Sequence, residues 1–243
     1  MRLVEAAPTA VEAVGLETLL RMADVEAYND WVYRRIQPYL GERLLEVGCG
    51  IGNMSGYYAD RPLLVCLDLM AESLALVREK LGDRPNLHTV RGDVCAASTL
   101  AALAAYRCDT AVMLNVLEHI EDDAAALAAV HRVLEPSGRL VLLVPAERYL
   151  YGTLDRALGH YRRYEPAELR ALLSAAGYEL ELFEYMNLPG ILGWFVNGRL
   201  LRRRLLPRPQ LALFNMLAPV FEGMEAHIKP PRGQSLLAIC RKA

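Results

Sequence analysis

The sequence has little of what would place a 243-residue chain in a specialised class. It holds no run of about 18 apolar residues, which excludes a membrane-spanning helix. The amino terminus carries no charged-then-apolar leader, so the chain is expected to be cytoplasmic. Cysteine is sparse and scattered, at 49, 66, 95, 108 and 240. With no C-x-x-C and no paired histidines, neither a zinc site nor a disulfide framework is indicated, and no metal is expected. Excess charge is also missing: the formal net charge is −2 and the pI about 6.2, which gives no bulk attraction to nucleic acid. Lysine is nearly absent, arginine supplying 24 of the 27 basic residues, a bias that points to no activity. There is no internal repeat, no low-complexity linker and no break in composition, so residues 1–243 are expected to form a single domain.

Against these absences stands one dense motif, LLEVGCGIG, from Leu44 to Gly52. An apolar run ends in an acid, and glycines follow at 48, 50 and 52. Glycine at alternate positions lets the main chain take positive φ and approach a ligand closely. A second apolar run, RPLLVCLDL, ends at Asp68, where an acid faces the ribose hydroxyls of a nucleoside bound across the first turn. A strand-end aspartate also serves as a helix cap. The dinucleotide fingerprint fails, since it requires glycine at 53 or 55 and those positions are Asn53 and Ser55. A P-loop is excluded by the lack of Lys-Ser or Lys-Thr after the glycines.

Strands and helices alternate along the chain as a parallel sheet covered on both faces requires. Strands are expected over Arg43–Val47, Leu63–Asp68, Leu87–Arg91, Asp109–Leu114, Leu140–Val144, Glu179–Glu184 and Leu236–Arg241. Helices are expected at about 53–59, 71–81, 98–105, 122–134 and 166–176, with Pro136-Ser137-Gly138 as a turn. Two helices precede the first strand: one over Thr9–Met22, with Thr9 and Glu12 spaced as a capping box, and one from Val25 to near Gly41. Residues 1–41 thus form an amino-terminal helical cap. Tyr28 and Trp31 in the second helix either fold over the ligand or belong to the core.

LLEVGCGIG, the acid in VCLDL, GDV at 92–94 and LNVLEHI at 114–120, in that order, resemble the class I S-adenosylmethionine-dependent methyltransferases. The resemblance runs from about Tyr28 to Tyr185 and implies a doubly wound, seven-stranded, mostly parallel α/β sheet. It implies S-adenosyl-L-methionine as cofactor and S-adenosyl-L-homocysteine as product. It assigns cofactor binding to Glu46, Gly48, Cys49, Gly50, Gly52, Asp68, Leu69, Asp93, Val94 and Asn115. The glycine-loop amides would be left free for the methionine part, Asp68 would take the ribose diol, Leu69 would pack on adenine, and Asp93 with Val94 would read its edge. Glu46 has two readings, facing the ammonium group or ordering the glycine loop by accepting backbone N–H bonds.

A hydroxyl acceptor must lose its proton, and histidine is the side chain suited to that at neutral pH. His119 and His160 are the candidates, with His160 preferred because His119 sits in a Glu-His pair that often supports a loop. The connection Pro145–Tyr164 is long and rich in polar groups. Tyr151, Tyr161, Arg162 and Arg163 in it are candidate acceptor ligands, the arginines gripping a carboxylate or phosphate or else pairing with nearby acids. Residues 186–234 are an insertion before the last strand, and within 188–208 an apolar patch is followed by four arginines. That segment caps the pocket, joins two copies, or rests peripherally on an anionic membrane. The expected activity is methylation of an oxygen or nitrogen on a small sugar-bearing, lipid-linked or natural-product acceptor. Nucleic acid is not an expected partner. A protein or nucleic-acid methyltransferase and a non-catalytic cofactor-binding scaffold are the alternatives.

Overall fold

A computed structural model of the chain describes residues 9–243; residues 1–8 of the expected cap lie outside the described residues. Strands β1 (Arg43–Val47), β2 (Leu63–Asp68) and β4 (Cys108–Leu114) are built from Leu, Val, Ala and Met, and are buried on both faces, as a parallel strand between two helical layers must be. With β3 (Leu87–Arg91), β5 (Leu134–Pro145), β6 (Tyr178–Met186) and β7 (Ser235–Lys242) they form one sheet in the order β3-β2-β1-β4-β5-β7-β6. Only β7 is reversed, pairing antiparallel with both β5 and β6. The chain lays strands to one side of β1 and then returns to the other at β4. Open α/β sheets bind their ligands in the crevice that this reversal leaves at the carboxyl ends of the strands.

One core layer joins the sheet to α5 (Ala97–Ala104), α6 (Asp123–Val133) and α8 (Pro166–Ala175), through residues such as Leu103, Leu127, Val130, Leu169 and Leu173. The other joins it to α2 (Glu26–Ile36), α3 (Ser55–Tyr58) and α4 (Ala71–Leu81), through Trp31, Ile36, Tyr58, Leu74 and Val77. Helix α1 (Ala10–Ala23) carries the expected capping box: Thr9 Oγ1 accepts from the Glu12 amide at 3.2 Å, and Glu12 accepts from the Thr9 amide at 2.6 Å.

Four expectations change. Pro136-Ser137-Gly138 is not a turn before the strand but a bulge inside β5, where Leu134 pairs with Cys108 and Arg139 with Thr110. Ser137 takes a φ of 60° to make it. The connection after β5 is more ordered than expected, holding a 3-10 turn at Arg148–Leu150 and helix α7 (Thr153–Leu158), with a bridge from Ala146 to Tyr164 closing its ends. Tyr28 and Trp31 do not cover the crevice. Trp31 is 1% exposed in the core, and Tyr28 packs on Phe214 at 5.7 Å between ring centres. The insertion folds as α9 (Leu188–Phe195), a π-helical turn at Val196–Leu200, and α10 (Arg208–His227), which lies on α2.

Candidate active site

The carboxyl ends of β1, β2 and β3 bring the glycine motif and two acids to one rim. Gly48 has φ 68°, and a Cβ there would fall 2.5 Å from Val116 of the loop after β4, so no larger residue fits. Asp68 joins the strands at their ends: its Oδ2 accepts from the Gly50 amide at 2.8 Å and its Oδ1 from the Met70 amide at 2.9 Å. Burial raises its pKa, and those two amides oppose the rise. Leu69 beside it is 62% exposed, a large apolar side chain held out at the rim. Asp93 is exposed, its Oδ1 accepting from the Cys95 amide at 2.8 Å, and Val94 is buried behind it. Asn115, at the end of β4, is exposed and takes a φ of 53°.

The loop amides are not free, contrary to expectation. Gly48 and Cys49 donate to the Leu67 carbonyl at 2.8 and 3.1 Å, and Gly52 donates to the Cys49 carbonyl at 3.0 Å. An unpaired amide at this depth is costly, so the loop satisfies its own donors, and the glycines serve to bring the backbone close. Both readings of Glu46 are corrected as well. Its side chain turns inward and accepts from the Ser55 hydroxyl at 2.5 Å, anchoring the first turn of α3. Burial pushes its carboxyl up to about 7.

Above the loop lies α1. A Cβ on Gly50 would meet Leu19 at 3.0 Å, and Asn53 Nδ2 donates to the Leu19 carbonyl at 2.8 Å. At its other end Val11 faces Gly159, beyond α7. No residue of α1 is fully buried, although the helix is rich in Leu and Val. Helix α1, and not the aromatics of α2, is thus the element that lies against the glycine loop.

A second group of residues forms where the loop after β4 meets the connection after β5. His160 Nδ1 and Asp155 Oδ1 are 3.1 Å apart, Arg163 Nε donates to the same oxygen at 2.7 Å, and Trp194 Nε1 donates to Asp155 Oδ2 at 3.0 Å. Burial alone would raise the Asp155 pKa, but the bonds from His160, Trp194 and the Gly152 amide and the charge of Arg163 hold it down at about 2. An ionised Asp155 only accepts, so His160 carries its proton on Nδ1 and turns Nε2 toward Glu118 Oε1, 4.0 Å away. Glu118 is fully buried, and neither of its carboxylate oxygens has a hydrogen-bond partner among the described residues. Burial pushes its carboxyl up to about 7, against the pull of His160. His119 stands edge-on to His160 with ring centres 4.6 Å apart. It stands at the rim, and partial burial, with His160 beside it, holds its pKa below the usual value.

Two of the expected site residues are buried. His160 is 8% exposed, whereas His119 beside it is exposed. Arg163 is 2% exposed, its Nη1 donating to the Ala146 carbonyl at 2.7 Å and its guanidinium lying 4.8 Å from the Trp194 ring centre. It is an internal cation neutralising Asp155, and it also lines a cleft of about 540 Å³, its Nη2 without a hydrogen-bond partner among the described residues. Tyr151, Tyr161 and Arg162 line the same cleft, together with Asp123, Arg148 and Glu168. Tyr151 donates to the His160 carbonyl at 2.8 Å, and Arg162 pairs with Asp123.

Residues 45–142 match the family model described as a methyltransferase domain. Over 172 residues the chain is 30% identical to a ubiquinone biosynthesis O-methyltransferase of Xanthomonas axonopodis pv. citri (strain 306), a match spanning 63% of this chain and 68% of that protein. The chain is a class I S-adenosylmethionine-dependent methyltransferase. A ubiquinone biosynthesis O-methyltransferase of Azotobacter vinelandii (strain DJ / ATCC BAA-1303) is 29% identical over 168 residues, 61% of this chain and 68% of that one. The fold matches a Mesorhizobium loti S-adenosylmethionine-dependent methyltransferase at 18% identity and a TM-score of 0.58, over 87% of this chain and 97% of that one. It also matches the [4+2]-cyclase SpnF at 18% identity and a TM-score of 0.60, over 97% of each chain. The fold is thus shared with a cyclase, and chemistry must be argued from the site.

The methyltransferase's rim fits its cofactor: the cradle at Gly48 admits no Cβ, Asp68 keeps lone pairs beside it, and the exposed Leu69 offers an apolar platform. Several contributors were missed from sequence. Leu19 and Trp194 carry no local signal, because a Leu in an amphipathic helix and a Trp in an apolar patch read as core. Glu118 was visible in the Glu-His pair, but its isolation from every donor belongs to the fold. The spacing held no metal motif, yet Glu118, His119 and His160 place ligand atoms within 4.8 Å of one another, a donor set able to take a divalent cation as well as a proton.

Proposed function

We propose that this methyltransferase methylates a hydroxyl oxygen of a small acceptor, with His119 as the base. What carries the reading is the file of Asp155, His160 and His119, running from the interior to the rim where the loops after β4 and β5 meet. An oxygen acceptor is the case that needs a base, and the relatives' names specify oxygen. S-adenosylmethionine would be held by Asp68 at the ribose, Leu69, Asp93 and Val94 at adenine, the backbone of Gly48–Gly52 at the methionine part, and Asn115 near the methyl group. When bound, it supplies an electrophilic methyl group on sulfur.

The chain's own residues do the rest. His119 is unprotonated at neutral pH and so open to the acceptor's proton, although burial and His160 lower its basicity to a pKa of about 4. His160, fixed in one tautomer by Asp155, positions the His119 ring and its charge. Glu118, ionised above about pH 7, offsets the positive charge that proton transfer leaves on the pair. Helix α1, together with α9, whose Trp194 donates to Asp155, would exclude water and set alignment, which displacement at a methyl carbon chiefly demands. Tyr151, Tyr161 and Arg162 border the acceptor's approach. The acceptor class we favour is a hydroxylated ring carrying a lipid tail or sugar, in line with the relatives' names and the apolar cap.

Calorimetry with S-adenosylmethionine tests the cofactor half: binding by the wild type, and at least a tenfold loss in Asp68→Ala, is the expected result, about 1.4 kcal/mol. Unchanged binding in that variant would sink the assignment. The acceptor half is read by release of S-adenosylhomocysteine across prenylated phenols, glycosides, amines, protein and nucleic acid. Turnover restricted to amines or macromolecules would refute the oxygen reading.

A further inference from the structure

Helix α10 is apolar on two faces: Leu211, Phe214, Ala218 and Phe221 pack against the protein. Its polar residues face the protein: Asn215 Oδ1 accepts from the Ala27 amide at 2.8 Å, Glu222 pairs with Arg34, Gln210 accepts from Asn197 at 2.8 Å, and Glu225 takes the amides of Asn187 and Leu188 at 3.1 and 2.8 Å. A second set of apolar residues faces out. Leu213, Met216, Val220, Met224 and, just past its end, Ile228 are each more than half exposed and follow helical spacing. Ala212, Pro219, Gly223 and Ala226 fill the exposed face between them, so that no carboxylate stands on it from Pro209 to Ala226. At about 1.5 Å per residue, the stripe from Leu213 to Ile228 is roughly 23 Å long.

The adjoining segment extends it. Leu192, Leu200 and Leu201 are more than half exposed, and Arg199, Arg202, Arg203 and Arg204 are exposed among them. Arg199 donates to the Tyr151 carbonyl and Arg203 to the Asn197 side-chain oxygen. None of the four pairs with a carboxylate among the described residues.

We infer that the outer face of α10, with Leu200, Leu201 and Arg199–Arg204 at its leading end, docks this protein on an anionic phospholipid surface. An apolar stripe lies in the interface plane while arginines at its end meet the headgroups. No helix of the described residues is long and apolar enough to cross the bilayer, so the contact is peripheral. A second copy suits the surface less well. A two-fold contact sets the patch against itself, and this patch offers cations and apolar groups with no acid to answer them. Docking here is independent of the reading of His119, since it uses no residue of the site.

Sedimentation of the full chain with vesicles tests it. Wild type should pellet with phosphatidylcholine vesicles containing phosphatidylglycerol, and bind far less to phosphatidylcholine alone or in high salt. Arg202→Glu with Arg204→Glu should lower binding by at least about thirtyfold, at roughly fivefold per lost cation. Leu213→Gln with Val220→Gln, both exposed, should lower it by about tenfold or more without adding charge. S-adenosylmethionine affinity and circular dichroism should stay unchanged in both variants. The proposal is overturned if wild type fails to pellet with anionic vesicles, if either variant binds as wild type does, or if neutral vesicles bind equally. It is also overturned if light scattering without vesicles gives a dimer that Leu213→Gln with Val220→Gln returns to a monomer, because the face then belongs to a second copy.

Discussion

His119 and His160 differ in what surrounds them, and the difference gives each a distinct test. A base that meets the acceptor acts in the chemical step, so His119→Ala should lower turnover by about 100-fold or more with cofactor affinity unchanged. His160→Ala should lower turnover less and shift its pH profile, since it removes a positioning group. Equal loss in both, together with lost cofactor binding, would mean that the cluster is structural. Glu118 adds a pH dependence with a definite sign. Its carboxyl titrates near 7, and only the ionised form favours charge on the histidine pair, so turnover should rise as pH passes through about 7. In Glu118→Gln that rise should disappear; an unchanged profile would assign it to another group.

At the scale of elements, α1 is the part whose position says most. It touches Gly50 through Leu19 and reaches Gly159 through Val11, yet buries no residue fully. A helix with so little burial opens at low cost, as a cover over a ligand crevice must. We expect amide hydrogen exchange over residues 10–23 to slow when S-adenosylmethionine binds. Leu19→Ala should weaken that binding by about tenfold, the loss of a partly buried leucine. Exchange unaffected by the cofactor would show that α1 is fixed packing. The strands β1 and β2 were legible to the residue, because continuous apolar runs bounded by Gly, Pro and charge leave no other register; β3 has the expected bounds with a half-buried, mixed sequence. Loops were less so: the bulge at Ser137 and helix α7 depend on what β4 and the insertion present to them.

For the whole molecule, burial of ionisable groups sets the response to pH. Asp155 has its folded pKa lowered to about 2, from 3.8. It therefore stabilises the fold by about 2 kcal/mol above pH 4, an amount lost as pH falls from about 4 toward 2. Glu118 has the opposite sign. Its pKa is raised from 4.5 to about 7, so the fold loses about 3 kcal/mol as pH rises from about 4.5 through 7. Glu46 is raised to about 7 in the same way. Denaturant unfolding without cofactor should show greater stability at pH 5 than at pH 8, and Glu118→Gln should reduce that difference. Greater stability at pH 8 in the wild type would refute the burial of these acids in uncharged form.

The sequence by itself determined the sheet and the family. Those depend on local patterns: apolar runs that are strands wherever they are buried, glycines that must take positive φ, and an acid at a strand end. It placed Tyr151, Tyr161 and Arg162 together because they are neighbours on one connection. What it left open, tertiary structure decided. The exposure of His119 beside a buried His160, the enclosure of Arg163 against Asp155 and Trp194, the isolation of Glu118 and the inward turn of Glu46 all depend on groups brought together from distant segments. The cost of burying a charge is set by those neighbours and by depth. The outward apolar face of α10 belongs with these, since a helix pattern gives two faces and only packing decides which of them meets the core.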